Sequence, residues 1–143
     1  MDKHAPRRPV PDSSKSQKTP RQMVGSFGEQ VAGEHLRKAG YRILERNHRT
    51  PLGEIDIIAD HKSTLVFVEV RTRQGAGFGT PQESVTRRKQ DKLRQLADYY
   101  LQSQKVSQSS YRIDVVVVQL KRDGQVERVE LIQNAVEGSA SGY

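Results

Sequence analysis

The chain has 143 residues, a formal net charge of +7 and no cysteine. That length suits one domain with one principal site, and the absence of cysteine excludes disulfides and thiolate metal centres, so a reducing cytoplasm is expected. No apolar run is long enough to cross a bilayer and the N-terminus has no apolar signal core, so no membrane partner is expected; the positive charge points to a polyanion such as nucleic acid.

Residues 1–20 hold five basic and two acidic residues, three of the seven net charges, and are rich in Pro, Ser and Lys. They cannot bury enough apolar surface to offset the entropy of ordering, so they read as a disordered basic tail before a domain at 21–136. Residues 137–143, "EGSASGY", read as a flexible end.

From about Arg21 to Ala39, Val24, Phe27, Val31 and His35 recur at helical spacing with Gly28, Ala32 and Ala39 beside them, and Gly40 supplies a stop. Three strands are predicted next, in "YRILERNHR" (41–49), "GEIDIIA" (53–59) and "LVFVEVR" (65–71). A glycine-rich loop, "QGAGFGTPQ" (74–82), leads to Thr80, Pro81 and Glu83, which have the chemistry of a helix start. The helix runs to about Gln102 with a break near Thr86, its inner stripe being Leu93, Leu96, Ala97, Tyr100 and Leu101. "YRIDVVVVQL" (111–120) is a strand buried on both faces, and "VERVELI" is a weaker one. The order α-β-β-β-α-β predicts an α/β domain of three layers, a mixed sheet flanked by helices.

Three carboxylates interrupt the apolar hairpin at Glu54, Asp56 and Glu69. Strand alternation puts Glu54 and Asp56 on one face and Ile55 and Ile57 on the other. With a turn at 61–64, Asp60 lies opposite Leu65, Asp56 opposite Glu69 and Glu54 opposite Arg71. Two acids facing each other repel, and a divalent cation with oxygen ligands, Mg²⁺ or Mn²⁺, would relieve this. The structural alternative is a Glu54–Arg71 ion pair, Asp56 capping a turn or meeting a surface arginine, and Glu69 on a solvated face.

Asp56 followed by Glu69-Val70-Arg71 resembles the PD-(D/E)xK nuclease motif. "GSFGE", ending in Glu29, resembles the segment of archaeal Holliday junction resolvases whose glutamate joins the site. Across residues 23–120, "GExxAxxxLxxxGYxILxRNxRxxxGEIDIIA", "LVFVEVRTR" and "FGTP" resemble the YraN-like family, uncharacterised protein family 0102. The resemblance implies a restriction-endonuclease-like fold, a metal-dependent endonuclease acting on DNA rather than RNA, including branched forms, and by analogy with resolvases a homodimer. It implies a site of Glu29, Asp56, Glu69 and Arg71, with the metal on Asp56 and Glu69. The alternative is a nucleic-acid-binding module that has lost cleavage.

Arg71 stands where the motif usually has lysine and cannot act as a base, but it can hold a phosphate. Lys89, four residues before Leu93, is the other amine placed to reach the sheet. Expected nucleic-acid contacts are Arg46, His48, Arg49, Arg87, Arg88, Lys89 and Lys92, with the loop around Gly75 to Gly79; the alternative is a solvated charged face. Asp114 on the buried strand is left outside the site, and the QxxxY spacing of Gln95 and Tyr99 is read as coincidence.

Overall fold

The computed structural model describes residues 17–105 and 110–136. Most of the predicted tail (1–16) and the predicted flexible end (137–143) lie outside the described residues, whereas Thr19 and Pro20 open the first helix.

Helix α1 spans Pro20–Lys38. The Thr19 hydroxyl accepts the Gln22 N–H while the Gln22 side chain accepts the Thr19 N–H, so two of the free N–H groups at the helix start are satisfied reciprocally. The strands are β1 (Arg42–Thr50), β2 (Gly53–His61), β3 (Thr64–Gln74), β4 (Tyr111–Leu120) and β5 (Val126–Ile132). Helix α2, Arg87–Ser103, joins β3 to β4.

The five strands form one sheet in the order β1-β2-β3-β4-β5. Only β3 and β4 run parallel, because only they are joined by a helical crossover; the other neighbours are antiparallel. Each face carries its own core. Ala32 and Leu36 of α1 meet Ile57, Ala59, Val66, Val68, Val116 and Val118. Leu96 and Ala97 of α2 meet Ile55, Ile58, Phe67 and Ile113. The predicted three-layer α/β arrangement is therefore present, and β4 is buried along almost all of its length.

The inner line of α1 differs from the predicted one. Gly28, Ala32, Gly33 and Leu36 are buried, whereas Phe27 is 41% exposed. Small residues win this face because the helix lies very close to the sheet. A Cβ at Gly28 would collide with the Thr72 side chain, and one at Gly33 with the Arg46 guanidinium.

The region after the glycine-rich loop also differs from a single helix. The Thr80 hydroxyl accepts the Glu83 N–H at 3.2 Å but starts only a 3₁₀ turn, Gln82–Ser84. The chain then extends at Thr86, whose hydroxyl accepts the Lys89 N–H at 3.3 Å and caps α2, so the predicted break is the true helix start.

In the β2–β3 hairpin Asp60 lies opposite Leu65, as predicted, and the turn tightens to Lys62 and Ser63 at φ of +51° and +68°, the left-handed pair of a two-residue hairpin turn. The ladder ends at Ile57 opposite Val68, so neither Asp56–Glu69 nor Glu54–Arg71 is a ladder pair. Ile55 and Ile57 enter opposite cores and do not share a face. On β1, Arg46 pairs with Ile57 and His48 with Ile55, while Asn47 between them takes φ of +52°. Strand alternation breaks at Asp56, and β2 and β3 part there.

Asp114 serves the fold. Fully buried, it accepts hydrogen bonds from the Tyr41 hydroxyl at 2.6 Å, the Arg112 guanidinium at 2.9 and 3.1 Å and the Asn134 N–H at 2.8 Å. No helix among the described residues is long and apolar enough to cross a membrane.

Candidate acidic site at the strand fork

Asp56 stands where the ladder opens. Its Oδ2 accepts the Val70 N–H at 2.8 Å, so a side chain takes over a backbone donor that the departing strand leaves. Glu69 of β3 stands beside Asp56, and both line one crevice beneath Leu93, Leu96 and Ala97 of α2. The two acids come together not as the ladder pair that the register predicts but by Asp56 turning into the fork.

Two further carboxylates join them, Glu29 from α1 and Glu54 from β2 itself. One oxygen each of Glu29, Glu54 and Asp56 lies within 4.8 Å of the others. Asn47 Nδ2 donates to Glu29 Oε1 at 2.7 Å and to Glu54 Oε1 at 3.0 Å. The left-handed backbone at Asn47, which asparagine tolerates better than most residues, accompanies this bridging position between helix and strand. The close approach of α1 at Gly28 brings the next residue, Glu29, over the fork.

The expected Glu54–Arg71 pair does not form. Glu54 turns to β1, where Arg49 Nε lies 3.7 Å from its Oε2, and Arg71 Nη1 instead lies 3.3 Å from Glu69 Oε2. Among the described residues the group with metal-site spacing is thus Glu29, Glu54 and Asp56, with Glu69 joined to it through Asp56, rather than Asp56 and Glu69 alone. Sequence reasoning missed Glu54 as a site residue and Asn47 altogether. The two-residue spacing of Glu54 and Asp56 is a signal for the first; a single asparagine inside a strand is the only one for the second.

The Asp56 carboxyl is pushed up to about 8, chiefly by burial and then by the Glu69 charge, with Glu29 adding to it and the Val70 N–H opposing. Crowded carboxylates of this kind hold a proton or a cation. The donors are all oxygen, which suits a hard divalent ion such as Mg²⁺, Mn²⁺ or Ca²⁺.

The model of the Uncharacterised protein family UPF0102 matches residues 28–118, which include all four acids. The chain belongs to this family. A UPF0102 protein of Moorella thermoacetica is 53% identical over 115 residues, 80% of this chain and 96% of the relative. One of Caldicellulosiruptor saccharolyticus is 47% identical over 112 residues, 78% and 95% respectively. The solved structure of Pyrococcus furiosus SfsA in complex with Ca²⁺ is 14% identical and superposes with a TM-score of 0.33 over 82% of this chain and 65% of that one; a likeness this slight supports no inference.

In this UPF0102 chain the basic residues expected to contact nucleic acid fall into two groups. Arg87 and Arg88 are exposed at the start of α2. The others have partners within the fold. Arg46 lies against Gly33, Arg49 near Glu54, and Lys92 donates to the Leu52 carbonyl. His48, expected to meet substrate, faces α2 instead, with its ring edge-on to Tyr100 at 5.1 Å and hydrogen-bonded to Glu45. Lys89 does reach the sheet. Its ammonium donates to the Ser84 carbonyl at 3.1 Å, it lines a crevice with Glu69 and Arg71, and its pKa is lowered by burial and then by Arg71.

Proposed function

We propose that this chain is a metal-dependent endonuclease that hydrolyses phosphodiester bonds in DNA, including branched or otherwise structured DNA, with Mg²⁺ or Mn²⁺ held by Asp56, Glu69 and Glu29 and by Glu54 beside them. The observation that carries the reading is the convergence of Glu29, Glu54 and Asp56 oxygens within 4.8 Å, with Glu69 in the same crevice as Asp56. Four acids gather from a helix and two strands at a fork in the sheet, an arrangement that hydrophobic packing alone does not call for.

In the reaction, water bonds to phosphorus through its oxygen and gives up a proton to solvent, one P–O ester bond breaks, and the leaving oxygen takes up a proton. A bound divalent ion lowers the pKa of water and offsets phosphate charge. The carboxylates would hold the ion, and Asn47 keeps two of them in place. Arg71 keeps its proton and, next to Glu69, is placed to hold a non-bridging phosphate oxygen as charge develops. Lys89 Nζ, its pKa lowered, is the group on the α2 side able to give the leaving oxygen its proton.

The ion pair between Arg71 and Glu69 favours a second reading, a nucleic-acid-binding module in which arginine at the motif lysine has ended cleavage. The test is incubation of the purified chain with linear, nicked, flapped and four-way DNA in Mg²⁺ or Mn²⁺. Cleavage that is lost in Asp56→Asn and Glu69→Gln supports the hydrolase; DNA binding indifferent to EDTA, without cleavage on any substrate, supports the module.

A further inference from the structure

A second feature lies beside the fork. Beyond Val68, β3 keeps its ladder with β4 but has left β2, and a pocket of about 540 Å³ opens there between α1, the glycine-rich loop and α2. That is within the rough range of small-ligand sites, about 300 to 1,000 Å³. Its wall carries Arg21, Arg71, Arg73 and Lys89 against one acid, Glu83.

Arg73 is the most telling of these. It is 9% exposed, its Nη1 donates to the Gly79 carbonyl at 3.0 Å, and its buried Nε has no hydrogen-bond partner among the described residues. No carboxylate makes an ion pair with Arg73, Arg21 or Lys89 among the described residues, whereas Arg71 has Glu69. A buried guanidinium without a counter-charge is costly, so the pocket is short of an anion.

Next to it stands an aromatic ring. Phe78 is 51% exposed, on a loop whose Gly75 and Gly77 take φ of +88° and +95°. The Arg73 guanidinium lies 5.2 Å from the ring centroid and occupies part of its surroundings, while half of the side chain stays open to solvent. Cations for a phosphate and a ring for a base make up the pairing used by single-strand binding surfaces; in a duplex the base faces are already covered by their neighbours.

We propose that this pocket takes one nucleotide of a single-stranded or unpaired nucleic-acid segment, its phosphate on Arg21, Arg73 and Lys89 and its base stacked on Phe78. The reading of the fork as a nuclease site supplies the identity of the anion, and the inference rests on it to that extent. The substrate of the neighbouring acids is then a strand that is unpaired at the cut.

The test is fluorescence anisotropy on the full chain in EDTA, so that nothing is cleaved, with a labelled single strand and the duplex of the same sequence. Phe78→Ala is expected to weaken single-strand binding at least about fivefold and to leave duplex binding unchanged, with Phe78→Trp restoring it. Arg21→Ala is expected to reduce the slope of log affinity against log salt for the single strand by about 0.7, the loss of one phosphate contact. Both side chains are exposed, so the variants are expected to fold, which circular dichroism checks. The proposal is overturned if Phe78→Ala leaves single-strand binding intact, if it weakens both forms equally, or if the wild type binds no single strand at low salt. Phe78-dependent binding without cleavage in Mg²⁺ or Mn²⁺ sustains the pocket and removes the hydrolase; cleavage indifferent to Phe78→Ala does the reverse.

Discussion

Asp56 and Val70 meet across the opening of the sheet: the Asp56 Oδ2 accepts the Val70 N–H at 2.8 Å, past the last β2–β3 pair, Ile57 opposite Val68. One contact both satisfies an N–H beyond the end of the ladder and pins a carboxylate beside Glu69, tying the end of the ladder to the candidate site.

The raised pKa of Asp56 gives a signed prediction for stability. The folded, metal-free chain holds this proton up to about pH 8, whereas an unfolded aspartate releases it near about pH 4. Between these values the folded state binds more protons than the unfolded one, so this contribution is full below about pH 4 and is lost as pH rises to about 8. Asp56→Asn removes the titration. In EDTA the variant is expected to melt above the wild type at about pH 8, with the gap closing towards about pH 5, by thermal denaturation followed by circular dichroism.

Cation binding must displace the same proton. Titration calorimetry with Mn²⁺ in buffers of different ionisation enthalpy is expected to report release of about one proton per ion at neutral pH. Glu69→Gln should lower affinity and change the proton count together, because the Glu69 charge helps keep the proton on Asp56. Proton release that ignores both acids would place the ion elsewhere.

Asn47 holds Glu29 and Glu54 through one amide. Its replacement by alanine should cost about 10- to 100-fold in Mn²⁺ affinity, the range seen when a residue supporting metal ligands is removed. Asn47→Gly should lose as much affinity while easing the backbone at φ of +52°, so a gain in stability alongside a loss of metal would separate the two roles.

Gly28 sets the distance between α1 and β3. Gly28→Val forces its side chain into Thr72 and should cost about 1–3 kcal/mol in urea denaturation. Thr72→Ala in the same chain should recover part of that loss, since the two positions touch and their effects should not add. Metal affinity should fall in the single variant as well, because Glu29 moves with the helix.

Arg71 divides the two functional readings. If it holds the phosphate during hydrolysis, Arg71→Ala should lower the cleavage rate by about 100-fold or more while Arg71→Lys retains activity. If arginine here has ended cleavage, Arg71→Lys should be the variant that gains it, in single-turnover assays on the preferred DNA.

Much of this was legible in the residues. Alternation from Gly53 to Arg71 marked the hairpin and its register as far as Ile57, and the stripe Leu93, Leu96, Ala97, Tyr100 marked the buried side of α2. Apolar periodicity reports burial, and burial is what holds these elements in place. The inner line of α1 was misjudged because periodicity weighs Phe27 above Gly28, whereas close helix–sheet contact selects the residue with no side chain.

The sequence by itself determined which acids were available, that the hairpin would be in register as far as Ile57 opposite Val68, and that arginine rather than lysine would follow Glu69, since residue type and strand register are local properties. The tertiary structure alone decided where the ladder ends, and with it that Glu54 turns to Asn47 and Glu29 rather than to Arg71. That choice depends on the splay of two strands beneath a helix, an arrangement set by contacts between segments far apart in the chain.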